Sequence, residues 1–235
     1  MTRLGAVIVG FLFAGPAPGA QECVVLLHGL ARTAQSMAPM AAFLERQNFR
    51  VSNIDYPSRE KPIDELAPLA VEAGIQECTD ESSKIHFVTH SLGGILVRVY
   101  LSRKTLDRLG RVVMLAPPNQ GSEVVDNLRN MPGFDLWNGP AGSQLGTDPE
   151  SVPSTLGPVD FPVGVIAGTT TINLLLSQFL PNPDDGKVSV ERTRVSGMQD
   201  FATVAVSHPF IMRNDEAKAL TLRFLKTGRF DMESR

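Results

Sequence analysis

Lys84-Ile85-His86-Phe87-Val88-Thr89-His90-Ser91-Leu92-Gly93-Gly94-Ile95 decides the fold. Lys84 to Thr89 is a short apolar run, as expected of a strand buried on both faces. Gly93 to Arg103 then carries helical spacing, with Ile95, Leu96, Val99 and Tyr100 available for packing. Ser91 lies on the tight turn between them. A serine that must project from such a turn needs small residues two before and two after it, so that the turn can close. Gly93 meets the second need. Thr89 stands at the first, where the G-x-S-x-G pattern has glycine. A helix N-cap is the plainer role for a serine before an apolar helix. It explains neither the preceding strand nor the small flanking residues, so Ser91 is read as a nucleophile. The helix behind it aims free N–H groups at any anion that forms there.

The same alternation runs outward in both directions. Strands are expected at Cys23 to Leu27, Arg50 to Ile54, Arg111 to Leu115, Val163 to Ala167 and Phe201 to Val206. Helices are expected at Met37 to Arg46, at Ile63 to Glu77 with Pro62 in its first turn and a bend at Pro68, and at Ser122 to Asn130 with Ser122 as N-cap. A closing helix is expected at Pro209 to Lys226, stopped by Gly228. Strands alternating with helices predict an α/β fold, a mostly parallel sheet with helices on both faces and right-handed crossovers. Met131 to Pro162 shows no period. The wider segment Pro117 to Pro162, with Phe134, Leu136 and Trp137, reads either as a small cap or acyl pocket or as a surface loop with buried aromatics.

Val24-Val25-Leu26-Leu27-His28-Gly29-Leu30, followed by Thr89 to Gly94, resembles bacterial lipases and esterases of the α/β-hydrolase superfamily. The resemblance implies the α/β-hydrolase fold over most of the chain. It implies an oxyanion hole from the backbone N–H groups of Leu30 and Leu92, with His28 as a positioning residue. It implies the chain order nucleophile, acid, base. His208 fits the base: it follows a strand and starts the last helix. His28 and His90 belong to the motifs already placed, and His86 to a buried strand. Asp185 fits the acid, since it precedes Gly186 and an apolar position. Asp184 is the alternative, and Asp-Asp-Gly is also an ordinary solvated turn. Asp55 reads as structural.

The remaining features bound the function. The chain has 235 residues, 43% of them hydrophobic, and a net charge of −3. That suits one domain over 21–235 and argues against a nucleic-acid partner, which would call for a basic face. Residues 1–20 read as a signal peptide: Arg3, an apolar run from Leu4 to Gly15, then small residues before a cut after Ala20 or Ala17. The run is too short to span a bilayer, so stable membrane insertion is not expected. Export would make Cys23 and Cys78 a disulfide; otherwise they are two buried thiols. No metal-ligand cluster, phosphate loop or dinucleotide fingerprint is present, so no cofactor or metal is expected. The reading is a secreted or periplasmic serine esterase or lipase acting on small-molecule or lipid esters. An acyltransferase with the same triad and a catalytically silent binding protein are the alternatives.

Overall fold

The computed structural model describes residues 21–78 and 82–231; the expected signal peptide, 1–20, lies outside them. Among these residues six strands form one sheet. They are β1 (Cys23–Leu27), β2 (Arg50–Ile54), β3 (Ile85–His90), β4 (Leu109–Leu115), β5 (Val163–Gly168) and β6 (Asp200–Val204). Every pairing is parallel, in the order β2-β1-β3-β4-β5-β6. The chain steps outward from β1 to β2, then returns across β1 to β3 and proceeds the other way. In open parallel sheets, such a reversal opens a crevice at the carboxyl ends of the two strands involved, here β1 and β3.

Continuous apolar strands need cover on both faces, and the side-chain period of two divides the core. Val25, Leu27, Phe87, Val112, Met114 and Val165 pack with Leu66 and Ala70 of α2 (Ile63–Glu77) and with Ile95 and Leu96 of α3 (Leu92–Leu101). Val24, Leu26, Val88, Val113 and Ile166 face the other way. They pack with Met40 and Leu44 of α1 (Ala38–Glu45) and with Phe224 and Leu225 of α9 (Asp215–Thr227). The expected α/β-hydrolase architecture is therefore present.

Four expectations need correction. The first helix enters through a 3-10 turn at Ala34–Met37. Ser122 stands at the N-cap of α4 (Glu123–Leu128), but its hydroxyl donates to the Lys187 carbonyl instead of capping. The closing helix is two pieces: a 3-10 turn, His208–Arg213, then α9, whose first turn is capped by the Asn214 side chain accepting from Ala217 N–H. The aperiodic 131–162 stretch holds α5 (Phe134–Ser143), kinked at Gly139-Pro140, and α6 (Val152–Thr155). Two further short helices, α7 (Leu174–Ser177) and α8 (Val190–Thr193), complete the chain. Pro68 sits inside α2, and Gly228 ends α9 in the left-handed conformation.

A buried arginine ties this excursion to the core. Arg98 on α3 is 3% exposed. It donates to the Asn119 carbonyl at 2.8 Å and side-chain oxygen at 3.2 Å, and to the Gly157 carbonyl at 2.8 Å. Burial lowers its pKa to about 10, so it stays charged at neutral pH. Asn119 passes the tie on to the Thr193 carbonyl at 2.8 Å. Arg98→Ala strands buried acceptors on two segments. We expect it to cost about 3 kcal/mol, read as a drop of roughly 6–12 °C in Tm by calorimetry.

Candidate active site

Three segments meet where the sheet order reverses. The first is the turn carrying Ser91, whose backbone lies at φ 52°, ψ −119°. Positive φ is costly for a residue with a side chain and is tolerated when the surroundings dictate it. Here Ser91 N–H donates to the Leu115 carbonyl at 2.9 Å, and Gly94 N–H to the Ser91 carbonyl at 3.0 Å. The turn is also pressed against β1. A Cβ on Gly93 would lie 2.7 Å from the Leu27 carbonyl oxygen and 2.9 Å from that of His28. Only glycine fits there. Thr89 is fully buried, and its hydroxyl lies 3.3 Å from where a Gly94 Cβ would be. The second glycine of Gly93-Gly94 thus leaves room for the threonine that replaces the usual glycine.

The second segment is His28-Gly29-Leu30 at the end of β1. His28 is buried. Its Nε2 accepts from Tyr56 N–H at 3.3 Å, which places its proton on Nδ1, 2.8 Å from the Gly29 carbonyl. The Tyr56 hydroxyl donates to the His28 carbonyl, and its ring stacks on the imidazole at 4.0 Å. Asp55 accepts from Ala34 N–H at 2.9 Å and stands 3.4 Å from His28 Nε2. The turn is therefore held from behind. The N–H of Leu30 has no acceptor among the described residues. The N–H of Leu92, at the first position of α3, has none in its own helix.

The third segment brings Asp185 and His208 together. His208 Nδ1 lies 2.7 Å from Asp185 Oδ2. The other oxygen, Oδ1, accepts from Lys187 N–H at 3.0 Å and Val188 N–H at 2.9 Å. His208 N–H donates to the Asp185 carbonyl at 3.0 Å, so the pair is joined through backbone as well. Asp184 points elsewhere. It accepts from the Ser177 hydroxyl at 2.6 Å and from Gly186 N–H at 2.7 Å, shaping the turn.

His90, assigned from sequence only to the turn motif, has a further place. It is 2% exposed and its Nε2 lies 3.1 Å from the His208 carbonyl. The two rings are 4.8 Å apart. Burial, and next the nearby His208, hold its imidazole well below the ordinary value of 6.5. A neutral ring with its proton on Nε2 donates to that carbonyl and props His208 from below. No sequence pattern marks this role, because it depends on a contact 118 residues away.

His28 and His86 are also held below 6.5, chiefly by burial. Unfolding frees all three. Below about pH 6.5 the unfolded chain then binds protons that the folded chain refuses, so stability falls as pH drops toward the folded values. Each such histidine contributes a slope of up to about 1.4 kcal/mol per pH unit. Urea unfolding between about pH 6.5 and 5 should show this loss. His90→Asn, which keeps a donor but does not titrate, should make the slope shallower.

Ser91 and His208 line one cavity of about 270 Å³. Its wall includes Val124, Val125 and Leu128 of α4, Phe134 of α5, and Leu145. The excursion after β4 thus closes over the crevice instead of lying on a distant surface. Among the described residues no group of three His, Cys, Asp or Glu side chains is placed to hold a metal ion, and no helix is long and apolar enough to cross a membrane. Cys23 and Cys78 form a disulfide, with Cα atoms 5.8 Å apart, at the end of the sheet away from Ser91.

A parallel sheet reversing at β1 and β3, with a strained serine at that reversal, defines an α/β hydrolase. Residues 24–215 match the sequence profile of the alpha/beta hydrolase family, and the chain belongs to that family. Among curated proteins none matches it in sequence. Among solved structures it is similar to the mature lipase BlEst2 of Bacillus licheniformis, with 18% identity, a TM-score of 0.63, and 93% of this chain and 96% of that one covered. It is similar to the phospholipase PlaB of Legionella pneumophila, with 18% identity, a TM-score of 0.68, and coverage of 89% and 60%. A metagenomic carboxyl esterase gives 18% identity, a TM-score of 0.64, and coverage of 85% and 69%. At these identities the likeness extends to the fold alone.

Proposed function

We propose that this chain is a serine carboxylic-ester hydrolase. The observation that carries the reading is the His208–Asp185 hydrogen bond of 2.7 Å, set in the cavity that Ser91 also lines. The carboxylate fixes the imidazole proton on Nδ1 and leaves Nε2 as the base. His208 takes the Ser91 proton as the hydroxyl oxygen attacks the acyl carbon. Asp185 stabilises the imidazolium that results. The N–H groups of Leu30 and Leu92 hold the oxyanion. The alcohol leaves with the proton from His208, and water then releases the acid from Ser91.

The α4–α5 wall serves as a small cap and acyl pocket over residues of a single domain, 21–235. At about 270 Å³ the cavity lies just below the usual range for small-molecule sites, which favours short acyl chains. The disulfide fits an exported protein.

The test is hydrolysis of p-nitrophenyl esters from acetyl to palmitoyl, with fluorophosphonate labelling in parallel. Turnover that peaks at short chains, with turnover and labelling both lost in Ser91→Ala, is the expected result. A folded wild-type protein that neither turns over nor labels would leave a silent binding module as the better reading.

A further inference from the structure

The chain carries 25 acidic and 22 basic residues, yet the cavity that holds Ser91 is lined by Arg32 and Lys187 and by no aspartate or glutamate. Neither cationic side chain is paired with a carboxylate among the described residues. Asp185 directly precedes Gly186-Lys187, but both its oxygens are already taken, by His208 and by two N–H groups.

The two cations come from separate segments. Arg32 follows the Gly29-Leu30 turn, and Lys187 follows the Asp185 turn. Both are exposed at the cavity mouth; partial desolvation, and next the Arg32 guanidinium, lower the Lys187 ammonium from its ordinary value, while the Asp185 carboxylate raises it. Like charges lining one cavity repel, and an anion between them relieves the repulsion. Apolar side chains of α4, α5 and Leu145 supply the acyl wall. The cations stand on other segments, where the alcohol portion of a substrate would lie.

We propose that the cavity selects acyl esters whose alcohol portion carries an anionic group, a phosphate or a carboxylate, held between Arg32 and Lys187. This rests on the serine-hydrolase reading. Water adds across the acyl C–O bond: the acyl carbon gains the hydroxyl, the alcohol oxygen gains a proton through His208, and the anionic group is untouched.

The experiment compares three butanoyl esters on one scaffold: dibutanoylglycerol, its phosphate, and its carboxymethyl ether. Wild type is expected to favour an anionic ester over the neutral one by about tenfold in kcat/KM, mostly through KM. A preference confined to the phosphate assigns the site to a lipid-type headgroup, and a preference for both anions assigns it to acidic esters generally. In Arg32→Ala/Lys187→Ala the anionic-to-neutral ratio should collapse toward one, and Arg32→Lys/Lys187→Arg should restore it. In wild type alone, raising NaCl should shrink the same ratio. A neutral ester turned over as well as the anionic ones would overturn the inference and leave the hydrolase reading standing, as would a preference that survives the double substitution. Turnover of none of the three would overturn both together.

Discussion

Asp185→Asn is expected to lower kcat for ester hydrolysis by about 10⁴-fold, while Asp184→Asn lowers it by less than about tenfold. The two side chains are adjacent in sequence, both are buried, and both accept two or more hydrogen bonds. They differ in what the second oxygen faces. An asparagine at 185 keeps an oxygen toward the Lys187 and Val188 N–H groups. It then presents an NH₂ to His208 Nδ1. The imidazole answers by moving its proton to Nε2, and the atom that must take the Ser91 proton no longer has a lone pair for it. The geometry survives and the base does not. An asparagine at 184 keeps its oxygen on Gly186 N–H, and its NH₂ donates to the Ser177 hydroxyl, which simply reverses that bond. Steady-state kinetics with a short-chain p-nitrophenyl ester, beside a thermal melt of each variant, reads the contrast. Equal losses at the two positions, or a large loss only at 184, would move the acid from 185.

That contrast also marks what the sequence could and could not tell. All six strand positions were legible to within a residue or two because parallel strands buried on both faces are written as short apolar runs between turn residues. The turn at Ser91 was legible because close packing leaves a local signature. Gly93 must be glycine for the turn to sit against the Leu27 and His28 carbonyls. The choice between Asp184 and Asp185 was not legible in composition, since both belong to one Asp-Asp-Gly turn. It depends on which carboxylate meets a helix start 23 residues later. Nor was the partner of His90, the tie from Arg98, or the approach of Arg32 to Lys187. Each joins segments far apart in sequence and leaves no periodicity. The α5–α6 stretch escaped for another reason. Its helices are short, and Gly139 and Pro140 interrupt α5, so no apolar period lasts long enough to register.

Stability should depend heavily on the one disulfide. Cys23 opens β1 beside the centre of the sheet, and Cys78 caps the C-terminus of α2. The bond spans 55 residues, including β2 and the whole of α2. In the chain-entropy view, closing a loop of that length removes about 4 kcal/mol of freedom from the unfolded chain. That is a large share of a typical folding free energy of roughly 5–15 kcal/mol. The pair is also buried, at 0% and 3% exposure, so replacing it with two alanines adds a packing loss to the lost constraint. We therefore expect Cys23→Ala/Cys78→Ala to lower Tm by roughly 8–16 °C. Dithiothreitol should lower it in wild type and leave the variant's midpoint alone. Activity at low temperature should behave differently. Cys23 pairs with Ile85 at the amino end of β3, while Ser91 lies just beyond its carboxyl end. Distant sites of this kind combine nearly additively, so the folded variant should keep kcat within a factor of about two. A melt unmoved by reductant would mean that sheet packing alone holds β1 and α2 together. A low-temperature kcat that falls with Tm would mean that the bond at one end of β1 and β3 positions the serine at the other.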